Sequence, residues 1–233
     1  MRTLQLGSTG PEVGLLRRLL NLKSVPSPAL PEANVFGAQY NGAMASVDFG
    51  PRTENAVKAF QGVSGIGVDG SVGPDTWHAL GLSIDMERWV VPASQPTDDT
   101  CYAAAATMVL GPEGGISFNP GPVPPGARPD DHWAQQFAAQ FNWQLEFGMT
   151  PTPATLVGYL DPGPFWIAGN MPFPSGPSYH ALVVGSMWGD GSSDGTMLLI
   201  YDPWPPNVGE IYGIILGDVL TQSPETFRYS LHL

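Results

Sequence analysis

One cysteine, Cys101, occurs in the 233 residues of this chain, and its context favours a reactive thiol. It stands in the first turn of a helix predicted to end at Gly111, with Asp98, Asp99 or Thr100 as the cap. The positive end of the helix dipole and the unpaired N–H groups of that turn favour a thiolate. The two aspartates oppose ionisation by their charge, so a neighbouring base must outweigh them. Because a lone cysteine is more often buried and inert, the assignment depends on the residues that could act with it.

His180 is the candidate general base, because a thiolate nucleophile needs a base and a residue that orients the base. It lies in the strand pattern YHALVVGSMW, and a second strand pattern, TMLLIYDPW, follows after a turn-rich linker. The two are predicted to form a β-hairpin centred near residues 191 to 192. This centre puts His180 nearly opposite Asp202, and cross-strand neighbours have Cβ atoms ~4.5–5.5 Å apart. A carboxylate there would orient the imidazole and support its charged form.

Gln95 completes the set, on the loop that enters the Cys101 helix. Its side-chain amide could point at the same position as the Cys101 backbone N–H, which would give an oxyanion hole with two donors. Each residue also has an ordinary alternative, such as a surface loop glutamine, a half-buried strand histidine or a turn-capping aspartate. Taken singly these alternatives are favoured, whereas the combination of all four groups favours catalysis.

The other histidines and the glycine-rich turns give no indication of a cofactor. His132 begins a predicted helix with an apolar stripe and is expected to be solvated. The stripe consists of Trp133, Phe137 and Phe141, and the remaining histidines are His78 and His232. These histidines lack the spacing of metal ligands. GIGVDG is predicted to be a turn, because no strand–loop–helix unit surrounds it as in a phosphate loop. We therefore expect no metal and no cofactor.

The N-terminal third of the chain repeats one helix-start pattern, Gly-Pro-x-Thr, in FGPRTENAVKAF and VGPDTWHAL. Proline suits the first position of a helix, and apolar residues follow at helical spacing. A third helical pattern lies upstream. The apolar positions are Val13, Leu16, Leu20, Ala56, Val57, Phe60, Trp77 and Leu80. The pattern predicts a small three-helix domain with Trp77 in its core.

These motifs resemble the type 1 peptidoglycan-binding domain family over residues 7–22, 49–61 and 65–80. The resemblance implies cell-wall binding, although such modules also serve as adaptors. The chain departs from the family in residues 23–48, which form a longer link between the first two helices, and a loop of that length often has a function. The domain is predicted to occupy residues 1–84.

Residues 89–233 resemble the papain-like cysteine peptidases, in particular the bacterial C39-like group. The resemblance rests on QPTDDTCYAAAATM, HALVV and IYDPWP in that order. It implies that Cys101 is the nucleophile, His180 the general base and acid, Asp202 the orienting residue and Gln95 the oxyanion donor. Tyr102 stands where the family usually has tryptophan. An α+β fold is implied, in which a papain-like domain over residues 85–233 packs the cysteine helix on an antiparallel sheet bearing the histidine and aspartate.

The net charge and the hydropathy of the chain limit the classes of molecule that it is expected to bind. The formal charge is −12, from 21 acidic and 9 basic residues, which opposes nucleic acid or anionic lipid as a partner. No apolar run approaches the ~20 residues that span a bilayer. The N-terminal MRTLQLGSTGPEVG lacks the apolar region of a secretory signal, so we expect a cytoplasmic location in the producing cell or export by a signal-independent secretion system.

Three functions are consistent with these patterns. The first is a peptidase that cleaves proteins or peptides as an antibacterial effector, for which an immunity protein would be a partner. The second is a peptidoglycan amidase or endopeptidase, and the third is a non-catalytic adaptor. Substrate selection is expected to depend on two proline- and glycine-rich loops, residues 119–131 and 170–179.

Overall fold

The computed structural model describes residues 1–25, 30, 47–111, 130–171, 179–222 and 225–233. Most of the long link predicted over residues 23–48, and most of both loops expected to flank the cleft, lie outside these described residues. The helices and strands named below therefore refer to the described part of the chain.

Three helices form the N-terminal part, as the repeated motif predicts: α1 (Pro11–Leu22), α2 (Pro51–Val63) and α3 (Pro74–Leu80). Each begins at a proline that follows a glycine, which suits the first helical position because proline has no N–H to leave unpaired. The helices bury the apolar faces expected of them, and Trp77 is 3% exposed. The α3 helix ends at Gly81, whose φ of 95° is readily adopted only by glycine.

A seven-stranded antiparallel sheet forms the centre of the rest of the chain. Its strands are β1 (Ile84–Glu87), β2 (Gln144–Phe147), β3 (Phe165–Asn170), β4 (Tyr179–Gly189), β5 (Thr196–Asp202), β6 (Glu210–Ile215) and β7 (Tyr229–His232). The order across the sheet is β2-β7-β3-β4-β5-β6, and β1 pairs with the second half of β4. The long central strand β4 therefore carries His180 between β3 and the β5 strand that ends in Asp202.

The predicted hairpin is β4–β5, and a bulge alters its register. The pairing shifts between Val184 and Ser186. As a result, Val183 pairs with Tyr201, and the same register puts Asp202 opposite Leu182. The predicted pairing of His180 with Asp202 is therefore diagonal, since the direct partner of Asp202 is Leu182. The bulge inserts one extra residue into β4 and so moves Asp202 one position closer to His180 along that strand.

Two helices cover one face of the sheet. They are α4 (Cys101–Leu110), which packs on β3 and β4, and α5 (Asp131–Gln140), which packs on β2. The four consecutive alanines of α4, residues 103–106, are at most 2% exposed, and their small side chains allow the helix to lie close to the sheet. The bounds of α4 agree with the sequence prediction, since Gly111 follows its last residue.

A second apolar core joins the sheet to α6 (Pro153–Leu160), α7 (Leu216–Gln222) and the N-terminal helices. Polar contacts cross the same boundary. Arg18 of α1 bonds to the Asp218 carboxylate at 2.9 Å and to the Asp194 backbone oxygen at 3.0 Å, and the N-terminal ammonium pairs with Asp85. The N-terminal helices are thus packed against the sheet.

The fold class is α+β, with helices packed on an antiparallel sheet, as expected. None of the helices in the described ranges has the length and apolar character required to span a bilayer.

Candidate active site

His180 and Asp202 form a fully buried pair. The Nε2 atom of His180 lies 2.6 Å from Oδ1 of Asp202, and both side chains are 0% exposed. The two residues come from the first part of β4 and the last position of β5. An imidazole so close to a carboxylate is held in one orientation, and its charged form is favoured.

The Asp202 carboxylate is fixed by two further donors. The backbone N–H of Trp204 donates to Oδ1 at 2.8 Å, and the hydroxyl of Tyr212 donates to Oδ2 at 2.9 Å. Sequence reasoning missed both donors. The Trp204 contact is a local turn of the kind that aspartate favours, whereas Tyr212 lies on β6 and no local pattern indicates it.

The pKa of His180 reflects opposing influences. Complete burial lowers it, but the charges of Asp202 and Cys101 and hydrogen bonding to both outweigh burial, so the pKa rises from 6.5 to about 10. The charged imidazolium is therefore the resting form at neutral pH. A pKa perturbed by burial together with specific charge partners is typical of functional sites.

Cys101 is the first residue of α4 and is partly exposed. Its charge and hydrogen bonding contribute to the raised pKa of His180, whose Nε2 atom faces Asp202. Among the described residues, however, Nδ1 has no partner with hydrogen-bond distance and angle. The resting structure thus has no aligned hydrogen bond at Nδ1, and the alignment of a catalytic pair commonly improves only when substrate binds.

The predicted side-chain cap of α4 is wrong for Thr100, the residue at the cap position. Its hydroxyl instead forms two hydrogen bonds with Thr97. It donates to the Thr97 carbonyl at 3.1 Å and accepts from the Thr97 backbone N–H at 3.2 Å. No side chain of the cap residue therefore accepts from the first turn of the Cys101 helix. The N–H groups of that turn are the ones suited to an oxyanion.

Gln95 is fully buried and tied to the loop after Asp202. Its backbone N–H donates to Pro203 at 2.9 Å and its carbonyl accepts from Asn207 at 2.8 Å. One N–H of its side-chain amide donates to the Thr97 carbonyl at 2.7 Å. The structure thus anchors Gln95 beside the Asp202 loop and uses one of its two amide donors locally.

Aromatic packing holds the start of α4 in place. The Tyr102 ring meets Trp133 edge to face at 5.3 Å and Phe137 at 5.8 Å. The Trp166 indole N–H donates to the Tyr102 carbonyl at 3.2 Å. Burial, with lesser contributions from the charges of Asp99 and Cys101, raises the pKa of Tyr102 to about 12. An aromatic ring at this position serves as packing, so tyrosine suffices.

The remaining histidines stand apart from this cluster. His78 and His132 are exposed, and His132 contacts only Gln136 by a hydrogen bond in the described chain. His232 is buried and stacks on Tyr159 with ring centroids 4.1 Å apart. Within the described ranges, no group of three or more His, Cys, Asp or Glu side chains is placed to hold a metal ion.

A cavity of about 580 Å³ lies at the N-terminal end of α5 and includes Tyr179, the residue before His180. Arg228 and Tyr229 also line it and both donate to Asp131, at 2.7 Å and 2.9 Å. Both segments expected to flank a cleft, residues 119–131 and 170–179, contribute their last residues to the lining of this cavity. It is a concave surface next to His180 in the chain.

Comparison with known proteins gives one family match. Residues 32–80 match the family described as putative peptidoglycan binding domain, which supports a peptidoglycan-binding domain in the N-terminal part of the chain. The match includes α2 and α3 but not α1. No curated protein matches.

One solved structure, the crystal structure of an endolysin from Burkholderia phage AP3, is 32% identical over 34% of this chain. The alignment spans 24% of the endolysin chain, about a quarter of its length, with a TM-score of 0.26.

Proposed function

We propose that this protein is a cysteine hydrolase that cleaves amide bonds of peptidoglycan. The observation that carries the proposal is the buried His180–Asp202 pair beside the only cysteine of the chain, at the start of a helix. A cysteine helix packed on an antiparallel sheet that bears histidine and aspartate is also the arrangement expected of a papain-like fold. These features support covalent catalysis by a thiolate.

In the proposed mechanism, the Cys101 thiolate attacks the carbonyl carbon of the amide and forms a carbon–sulfur bond. The negative oxygen of the tetrahedral intermediate accepts from the Cys101 N–H and from an amide donor of Gln95. The carbon–nitrogen bond then breaks as the His180 imidazolium gives its proton to the leaving amine. An acyl-thioester remains on the enzyme, and His180 is neutral.

Hydrolysis of the thioester restores the resting site. His180 takes a proton from water, whose oxygen attacks the acyl carbon. The carbon–sulfur bond breaks, which releases the acid product and leaves Cys101 as a thiolate beside an imidazolium. Asp202 keeps the ring oriented in both halves and stabilises its charged form without accepting the proton.

The family match supports peptidoglycan as the polymer on which the hydrolase acts. A net charge of −12 means that affinity for acidic wall polymers must come from shape and hydrogen bonds rather than charge attraction. Tethering the hydrolase to its substrate would raise the effective concentration of cleavable bonds.

Digestion of purified sacculi tests this function. Wild-type protein should release soluble muropeptides, and Cys101→Ala should abolish release while leaving sacculus binding unchanged. His180→Ala should lower the rate by at least ~100-fold, whereas His132→Ala, which changes an exposed histidine, should retain activity.

The same assay should include unrelated proteins and peptides as substrates. Cleavage of these without muropeptide release would contradict the peptidoglycan assignment and favour an effector peptidase. Failure of a thiol alkylator to label Cys101 faster than an ordinary thiol, together with no turnover of any substrate, would favour the adaptor.

A further inference from the structure

Tyr212 lies on β6 diagonally across from Asp202. Asp202 pairs with Glu210 and Ile200 pairs with Tyr212 in the β5–β6 register, so Tyr212 and Asp202 are on the same face of the sheet. The Tyr212 hydroxyl donates to Oδ2 of Asp202 at 2.9 Å, and the side chain is partly buried against the apolar core. The phenol thus reaches the Asp202 carboxylate from β6, whereas His180 reaches it from β4, on the other side of β5.

The two carboxylate oxygens of Asp202 have different roles. Oδ1 faces the His180 ring at 2.6 Å and accepts from the Trp204 N–H, whereas Oδ2 accepts from the Tyr212 hydroxyl. Partial rotation of the carboxylate plane about the Cβ–Cγ bond would misalign all three contacts. A donor on Oδ2 opposes that rotation and stabilises the anion, since hydrogen bonds to a charged group are stronger than neutral ones.

We propose that Tyr212 is a positioning residue of the active site, which holds the Asp202 carboxylate aligned on the His180 ring beside Cys101. This inference rests on the proposed function, because it assigns Tyr212 to the same thiolate–imidazolium pair. Tyr212 acts through Asp202 and does not contact the reacting atoms.

In the described part of the chain, charged and titratable groups act on this pair from α4, β5 and β6. Cys101 faces the His180 ring from α4, and Asp202 faces it from β5. Asp202 in turn receives the Tyr212 hydroxyl from β6, and Glu210 on the same strand feels the Asp202 charge. Glu210 is the cross-strand partner of Asp202 on β6, and burial together with the Asp202 charge raises the pKa of Glu210.

The test is the pH dependence of Cys101 alkylation by iodoacetamide, which reports the thiolate directly and needs no substrate. In wild type, labelling should persist at about pH 6, where an isolated thiol is almost wholly protonated. Tyr212→Phe should lower the rate there by roughly three- to tenfold, corresponding to the net contribution of one typical intramolecular hydrogen bond. Above about pH 9 the two rates should converge, because any thiol ionises there.

Tyr201→Phe is the matched control. Tyr201 is the neighbour of Asp202 on β5, and its hydroxyl makes no hydrogen bond within the described residues. This variant should reproduce the wild-type profile. Thermal unfolding of each variant separates the proposed role from loss of structure, because a purely structural effect lowers the melting temperature without changing the shape of the profile.

A double-mutant cycle identifies the route. If Tyr212 acts through Asp202, Tyr212→Phe should have no further effect on the profile of Asp202→Ala. A Tyr212→Phe profile that superimposes on that of wild type would overturn the inference, as would an equal effect in both backgrounds. The proposed function fails separately, if wild type shows the low-pH labelling but releases no muropeptides.

Discussion

At the scale of single residues, the charge of His180 depends on which of two influences prevails. Full burial alone would lower the pKa of the imidazole, because a low-dielectric interior disfavours its charged form. The carboxylate of Asp202 and the sulfur of Cys101 act in the opposite direction and raise the pKa to about 10. The charged ring is thus retained at neutral pH by its two partners, and each partner should have a measurable effect.

The raised pKa predicts how stability depends on pH. The folded His180 holds its proton up to about pH 10, whereas the unfolded chain releases it near 6.5. The resulting stabilisation is present in full below pH 6.5 and is lost as pH rises through the folded pKa. Asp202→Asn removes the charge that raises this pKa.

The melting-temperature difference between wild type and Asp202→Asn should therefore be largest at about pH 6 and shrink towards about pH 10. Thermal unfolding at a series of pH values measures it, with His132→Ala as a control that should show no such trend. A difference that grows with pH would contradict the charged imidazolium.

At the scale of elements, the β4 bulge decides whether His180 and Asp202 can meet. The Ser186–Leu199 register, continued without a shift, would put Asp202 opposite Val183, whose side chain points to the other face from that of His180. The bulge instead puts Asp202 opposite Leu182, on the same face as His180. Gly185 is the residue at the shift.

Gly185 is also closely packed, so a larger residue at this position should disturb the candidate active site. A Cβ atom there would lie 2.4 Å from the Tyr201 ring and 2.9 Å from Val90. Gly185→Ala should destabilise the protein by roughly 1–3 kcal/mol, because Tyr201 must move. Since Asp202 follows Tyr201 directly, the rate of Cys101 alkylation at neutral pH should also fall.

Gly158→Ala is the matched control for this prediction, because a Cβ at that position in α6 meets nothing within 4 Å. It should be neutral or stabilise by up to ~1 kcal/mol through helix propensity. Denaturant unfolding of both variants provides the comparison. Equal stability of the two variants would show that the space around the bulge is not limiting.

At the scale of the whole molecule, the N-terminal helices share an apolar core with the sheet. Pro11 of α1 lies against β6, where a Cβ on Gly213 would be 2.8 Å from it. Arg18 adds polar contacts to Asp194 and Asp218. Under the proposed function, a binding domain packed in this way would present peptidoglycan to the hydrolase in a restricted set of orientations.

This packing predicts cooperative unfolding. The whole chain should unfold in one transition. Arg18→Met should lower its free energy of unfolding by about 1–2 kcal/mol, because it removes a partly buried charged hydrogen bond to Asp218. Lys58→Met removes an exposed pair with Glu54 within α2 and should cost about 0.5 kcal/mol or less. Two separate transitions in urea would contradict the shared core.

Local patterns in the sequence were sufficient for several elements. The three N-terminal helices begin at the predicted prolines, α4 spans the stretch between Thr100 and Gly111, and β4 and β5 form the expected hairpin. These features depend on backbone preferences and side-chain periodicity over a few residues, which a single sequence contains. The catalytic roles of Gln95, Cys101, His180 and Asp202 stay predictions.

Other features were decided only by the tertiary structure. The bulge at Gly185, the Tyr212 contact to Asp202 and the attachment of Gln95 to the loop after Asp202 all depend on residues far apart in sequence. Each reflects which surfaces meet when strands pair and helices pack, and no local preference encodes that choice. The sequence by itself determined the groups available for chemistry, whereas the packing of β4, β5, β6 and α4 determined their distances and charges.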